Sequence, residues 1–287
     1  MIIPAIQIDE ADPLAAVKAV VSRIVVYVFA ALVGLFFAVP LLWLVFAPFD
    51  EQPTLRVELP SLTLDNFRGV FENPYAVTSL WNSVFIAVVT TIMAVVAAAL
   101  AAYALSRVRI PGRNVMLYSL MLFSAVVSGT AAMVPTFLLI YNLGLINSHT
   151  GVILVLAGGM LPTALFILKD FMDSVPRSYE ESAQVAGASS VQVLKDIVVP
   201  VIRPGLAVIA VWALVNIWGD FLTPFILLRS PDLLPAAVVI YNFYNEAGDP
   251  NIRLVAAYSF LYSIPVVAMY LFVNARYGFR FHGGIKR

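Results

Sequence analysis

The 287-residue sequence contains no cysteine. That absence excludes disulfides, thiolate metal sites and cysteine nucleophiles together. Charge is scarce as well: Asp, Glu, Lys and Arg make up only 12% of the chain, where a soluble domain carries about a quarter. Acidic and basic residues are equal at 17 each, so net charge points to no nucleic acid and no acidic partner. No Gly-x-x-x-x-Gly-Lys-Ser/Thr run is present, so the chain has no phosphate loop with which to bind ATP itself. What the chain has in excess is apolar surface, with 61% of residues hydrophobic. A core of this size cannot bury so much of it in water, so the solvent must be lipid.

The gaps between charges give the architecture. Ile24–Phe49, Asn73–Ser106, Asn114–Ser148, Thr150–Leu168, Pro204–Gly219 and Leu254–Ala275 contain no Asp, Glu, Lys or Arg. Each can hold a helix of about 20 residues, enough to cross about 30 Å of hydrocarbon. Inside a bilayer the backbone must satisfy its own hydrogen bonds, and continuous apolar runs do so as helices. The short alternating segments of a transmembrane barrel are missing. The expectation is an all-α membrane protein with six transmembrane helices. The first run exceeds the 7–15 residues of a signal core and no small-residue cleavage site follows, which predicts a retained helix.

With the N-terminus inside, the inner segments carry Lys18, Arg23, Arg107, Arg109, Arg113, Lys169, Arg177, Lys195, Arg203, Arg276, Arg280, Lys286 and Arg287. Only Arg56, Arg68, Arg229 and Arg253 remain outside. The positive-inside rule therefore predicts both termini in the cytoplasm. Residues 1–23 read as a cytoplasmic lead containing Asp9, Glu10, Asp12 and Pro13. Residues 24–275 form the six-span domain, and 276–287 a cytoplasmic tail in which Tyr277, Phe279 and Phe281 alternate with basic residues. That tail suits an inner-surface anchor. In the outer loop 50–80, Leu64, Phe67 and Phe71 recur at helical spacing and predict one apolar stripe. The outer segment 221–253 is rich in proline and aromatics, and Tyr241, Phe243 and Tyr244 there read as interfacial belt residues.

The long cytoplasmic loop 170–203, between spans four and five, is the most informative stretch. Ser178-Tyr179-Glu180-Glu181 fits a capping box, with Glu181 reaching back. A short helix through Ser182, Ala183 and Ala186 would stop at Gly187, since glycine tolerates the left-handed exit conformation. Ser189-Ser190-Val191-Gln192 offers a second box. The helix that follows would carry Val191, Leu194, Ile197 and Val198 on one face and end before Pro200. Two short helices meeting at a glycine elbow make a projecting knob, a shape that suits docking into a groove on another protein.

These residues resemble the cytoplasmic signature of the inner-membrane permease subunits of ABC importers: Glu-Ala-Ala, three residues, Gly, then Ile-x-Leu-Pro at fixed distance. The chain has Glu181-Ser182-Ala183, Gly187-Ala188, Leu194, Ile197, Val199 and Pro200 in that register. It departs at Ser182, in place of alanine, and at Ala186, where an aspartate usually precedes the glycine. Further pieces resemble the carbohydrate-uptake branch, with its smaller maltose-type permeases. They are Thr63–Phe67, Asn82-Ser83, Ala102–Arg107, Met133-Val134-Pro135, Val175-Pro176, Trp218-Gly219-Asp220-Phe221 and Gly283–Lys286. The resemblance implies a subunit of the bacterial-type cytoplasmic membrane that pairs with a second, homologous permease. It implies two cytoplasmic ABC ATPase subunits that hold ATP and Mg and grip the knobs, and an external solute-binding protein that delivers solute. Glu180, Glu181, Ser182, Ala183, Gly187, Ala188, Leu194, Ile197 and Pro200 are thereby the candidate ATPase-coupling residues, with Glu181 either a contact to the ATPase or a solvated cap.

Candidate residues for the translocation path are Asn216, Trp218, Asp220 and Pro135. Sugars favour aromatic faces and hydrogen-bonding groups, and an acid in a span should face the bundle or water. Asp220 reads equally as an interfacial residue anchoring a helix end, since about 17 helical residues separate it from Arg203. Pro135, Pro162 and Pro265 read either as hinges or as packing kinks. The alternative function, an ion-coupled secondary transporter, would call for mid-membrane carboxylates and a repeated half. An intramembrane enzyme is disfavoured because His149 and His282 fall on opposite sides and Asp220 stands alone.

Overall fold

In the computed structural model, residues 13–108, 110–126, 129–243 and 251–277 are described. The elements are α1 (Pro13–Phe46), α2 (Asp65–Glu72), α3 (Ala76–Arg107), α4 (Arg113–Val126), α5 (Met133–Asn142), α6 (His149–Asp173) and α7 (Arg177–Val185). They continue with α8 (Ser190–Val193), a π turn (Leu194–Val198), α9 (Val199–Trp218), α10 (Leu222–Leu227), α11 (Ala236–Val239) and α12 (Ile252–Tyr277). The chain divides into two compact units, one running through Val70 and resuming at Pro250, the other spanning Phe71–Asp249.

Among the described residues, five stretches are long and apolar enough to cross a membrane: Val20–Phe49, Ala76–Arg107, His149–Asp173, Ser190–Trp218 and Ile252–Ala275. The charge-free run 114–148 is instead divided between α4 and α5, 14 and 10 residues long. At 1.5 Å per residue these reach only about 21 and 15 Å, each short of a bilayer core. Pro135 stands in the first turn of α5, directly after the 3-10 turn Gly129–Ala132. Pro162 and Pro265 lie inside α6 and α12. α6 extends past its charge-free run through Lys169, Asp170 and Asp173.

In the first unit, α1 exposes apolar side chains all round, among them Phe29, Phe36 and Leu41. Such a helix is at home in hydrocarbon, where its backbone satisfies itself. Phe49, Phe67 and Phe260 pack ring to ring at 5.2–6.0 Å. The side chain of buried Asn66 donates to the carbonyls of Pro48 (3.0 Å) and Asp50 (2.7 Å). The predicted stripe is therefore split: Phe67 packs inward beside Val70, while Leu64 and Phe71 are exposed.

In the second unit, α3, α6 and α9 pack together. The face of α3 turned inward carries Ala87, Ala94, Ala98 and Ala102, all nearly inaccessible. Small residues let backbones approach closely where dispersion rather than water drives helix association. Gly205 of α9 meets α6 so closely that a Cβ there would lie 2.5–2.8 Å from the ring of Phe171. At the end near α7, Leu168, Met172, Val175, Val193, Val198 and Ile202 close the core.

Candidate functional site

The elbow is built by local backbone chemistry. Pro176, extended at φ −62° and ψ 130°, precedes α7, which starts at Arg177. The capping box expected at Ser178 is not formed: Ser178 lies inside the helix, and its carbonyl accepts from the Ser182 hydroxyl at 2.7 Å. Proline fixes the entry angle and needs no cap on its own nitrogen. The exit is a Schellman turn, with Ala188 N–H donating to Ala183 O at 3.0 Å and Gly187 N–H to Gln184 O at 2.9 Å. Gly187 sits at φ +92°, the conformation that side chains resist. Ser189 then makes the second expected capping box with Gln192.

Contrary to expectation, Pro200 does not end the next helix. Ser190–Trp218 runs for 29 residues, about 43 Å and longer than the hydrocarbon core. The π turn Leu194–Val198, closed by Val199 N–H on Leu194 O, widens the helix just before Pro200 and makes room for its ring. It also resets the inward face: Val193 and Val198, five apart, are buried, whereas Val191 is 74% exposed. Leu194 packs against the core, and Ile197 and Pro200 are half-buried.

Glu180 and Glu181 point different ways. Glu181, Ser182 and Gly187 are exposed, with Ala183 and Ala188 tucked against the core. Apolar Tyr179, Val185 and Val191 stand out, Val185 by 91%. Glu180 is buried. Its Oε1 accepts from two nitrogens of Arg107, Nε at 2.7 Å and Nη2, and its Oε2 accepts from the Tyr103 hydroxyl at 3.1 Å. Arg107 Nη2 also donates to the carbonyls of Met172 (3.2 Å) and Val175 (3.3 Å), and Nη1 to Ser106 Oγ at 2.7 Å. Ser106 in turn donates to Asp173, which pairs with Lys169. One guanidinium thus ties together the last turns of α3 and α6 and the first turn of α7, an arrangement suited to its rigid fork of donors. In the sequence Arg107 stands as an inside charge and as the end of the Ala102–Arg107 piece, with no partner indicated; no local spacing links positions 73 apart.

At the opposite end of α9 the path candidates separate. Trp218 is buried, while Asn216 is exposed and donates to Trp212 O of its own helix at 2.7 Å. Asp220 follows the end of α9, and its Oδ1 accepts from Thr223 N–H at 2.9 Å, opening α10. Trp218 and Asp220 line one cleft with Ser83, Leu156, Pro224 and Pro235; Asn216 and Pro135 do not. The cleft's free volume is about 10 Å³, room for about one water and far too little for a sugar. Residues 227–236 are pinned here by polar side chains of α3, of the turn before α6 and of the first residue of α6. Asn82 donates to the carbonyls of Asp232 (2.8 Å) and Leu234 (3.1 Å), Ser83 Oγ accepts from Ala236 N–H (2.8 Å), and His149 Nε2 lies 2.8 Å from Leu233 O. Asn147, at φ +56°, accepts from the N–H groups of Arg229 and Ser230 at 2.9 Å and donates to Ser230 Oγ at 2.8 Å. Phe243 is buried and Tyr241 exposed. Tyr244, Arg109 and the tail motif Gly283–Lys286 lie outside the described residues.

Residues 94–279 match the family model described as binding-protein-dependent transport system inner membrane component. The chain belongs to that family. This permease is 28% identical to the maltodextrin transport system permease protein MdxG of Bacillus subtilis, over 89% of this chain and 93% of the relative. It is 30% identical to the galactooligosaccharides transport system permease protein GanQ of the same organism, over 88% and 90%. The trehalose transport system permease protein SugB of Mycobacterium tuberculosis is also 30% identical, over 83% and 88%. In fold, the permease is similar to a chain of a bacterial ABC transporter that imports alginate, with a TM-score of 0.76 and 22% identity, covering 93% of this chain and 98% of that one. The matched region begins within α3 and takes in the elbow. The chain is therefore a multi-pass permease subunit of an ABC importer.

Proposed function

We propose that this permease carries a sugar or related polyol across a bacterial-type cytoplasmic membrane, coupling ATP hydrolysis by partner subunits to alternating access. The cargo class rests on relatives named for maltodextrin, galactooligosaccharides and trehalose. In this reading α4 and α5 together make one broken crossing, giving six in all, and both termini are cytoplasmic. Residues 170–203 form the coupling loop. Its elbow, with Gly187 at the bend and Tyr179, Val185 and Val191 at the tip, docks into a groove on one of two ABC ATPase subunits, which hold ATP and Mg. A second, homologous permease completes the cavity, and an extracytoplasmic binding protein delivers solute to it; a related alginate importer has been seen in complex with a pentasaccharide-bound periplasmic protein.

The observation that carries the coupling role is the fastening of α7 to α3 and α6 through Arg107 and Glu180. A force on the elbow reaches two apolar helices through one buried ion pair instead of being lost in a loose loop. The test is to purify the tagged chain from native membranes in mild detergent and weigh the intact complex. One copy with a different permease and two ATPase subunits is the expected result. A lone chain or homodimer that transports on an ion gradient without ATP would overturn the proposal.

A further inference from the structure

An open cleft of about 490 Å³ lies where the α3–α4 turn meets the start of α7, lined by Ile110, Gly112, Arg113, Asn114, Val115 and Arg177. Two guanidinium groups from different elements meet there, and among the described residues no carboxylate lines it. Arg113 Nη1 donates to Leu105 O at 2.6 Å, and Arg177 Nη2 to Ser106 O at 3.1 Å. Each arginine is thereby held through one nitrogen on the last carbonyls of α3. Asp173, the nearby acid, is engaged by Ser106 and Lys169. A guanidinium presents five N–H donors in a fixed plane, and a pair of them suits a phosphate diester.

The cleft also opens onto apolar surface. Val115, Tyr118 and Leu122 follow one another at helical spacing along α4 and are 59–70% exposed. A free phosphate ion has no use for such a stripe, whereas a phospholipid would lay an acyl chain on it. The cleft sits where α3 and α6 end, and the ends of spanning helices lie near the headgroups on either side of a membrane. We propose that Arg113 and Arg177 hold the headgroup of an anionic glycerophospholipid, with its chains along α4. Basic pockets beside spans are a recurrent way of binding such lipids.

The experiment uses the intact transporter complex, delipidated in mild detergent and titrated with phosphatidylglycerol or phosphatidylcholine, with bound lipid counted by native mass spectrometry. Phosphatidylglycerol should be retained about thirtyfold over phosphatidylcholine, the scale of two basic residues at a membrane surface. The preference should fall in Arg113→Gln/Arg177→Gln. It should fall also in Val115→Glu, which adds a negative charge while leaving both arginine–carbonyl bonds in place, so a folding defect in the double variant does not blunt the test. Equal retention of the two lipids would overturn the proposal, as would a preference that survives in both variants. Displacement of phosphatidylglycerol by millimolar inorganic phosphate would show a simple anion site and overturn the lipid assignment. Failure of the ATPase-docking reading would leave the lipid result untouched, because the lipid count requires no ATP turnover.

Discussion

Arg107 and Glu180, 73 positions apart in the chain, form an ion pair in which the glutamate side chain is only 7% exposed and the arginine 15%. Removing one partner strands the other charge away from water. Glu180→Gln should therefore destabilise the permease by about 3–5 kcal/mol, the cost of breaking a buried pair. The paired replacement Arg107→Met with Glu180→Met should recover most of that loss, because it leaves no uncompensated charge. Thermal unfolding of the purified complex measures both. Solute-stimulated ATP hydrolysis should nevertheless stay low in the double variant, since the polar tie to the Met172 and Val175 carbonyls is gone as well.

Gly187 tests the elbow itself. At φ +92° any side chain is strained, by about 1–2 kcal/mol, although nothing crowds the position. Gly187→Ala should bend coupling away from normal while the chain still inserts. Gly187→Asp should abolish solute-stimulated ATPase activity with insertion preserved. Normal coupling in Gly187→Asp would remove the docking role from the elbow.

At the other end of α9, Asn147 holds residues 229–230 by three side-chain hydrogen bonds. Asn147→Gly keeps the left-handed backbone and deletes all three, each worth about 1 kcal/mol. Hydrogen exchange over residues 227–236 should accelerate in that variant, and over the elbow it should not change.

The loop after α1 carries a pH dependence. The Ser61 hydroxyl, at 2.7 Å, holds the Asp50 carboxyl below its ordinary value of 3.8, with help from the backbone N–H groups of Ser61 and Gln52. A carboxyl lowered in the folded state adds stability above its unfolded value, and that stability is lost as pH falls through the lowered one. Exchange protection over residues 50–62 should hold at neutral pH and fade on acidification below about 4. In Ser61→Ala protection at neutral pH should be lower and its loss on acidification smaller.

Much of this was legible in the sequence. Charge-free runs located five apolar helices because a span must be both long and uncharged, and the glycine elbow was visible because few residues other than glycine make that exit. The ends were not legible: Lys169 and Asp173 extend α6 because they pair at the boundary, and Pro200 is carried by a π turn that no propensity predicts. The division of the run 114–148 into two helices was hidden because the whole run is uncharged. Arg107, Glu180 and Asn147 were invisible in their roles for a different reason. Their partners are distant in sequence, so only packing brings them together.

In the proposed coupling the elbow tip meets an ATPase subunit. The chain has no cysteine, so Val185→Cys places a single thiol on the most exposed apolar residue of α7. Leu59→Cys, 88% exposed between α1 and α2, is the control on the proposed outer side. In the assembled complex, a short thiol-to-amine cross-linker should join Val185→Cys to the ATP-binding subunit, and Leu59→Cys should give no such product. A Val185→Cys thiol that stays freely reactive in the intact, ATP-hydrolysing complex and cross-links to no ATPase would contradict the account.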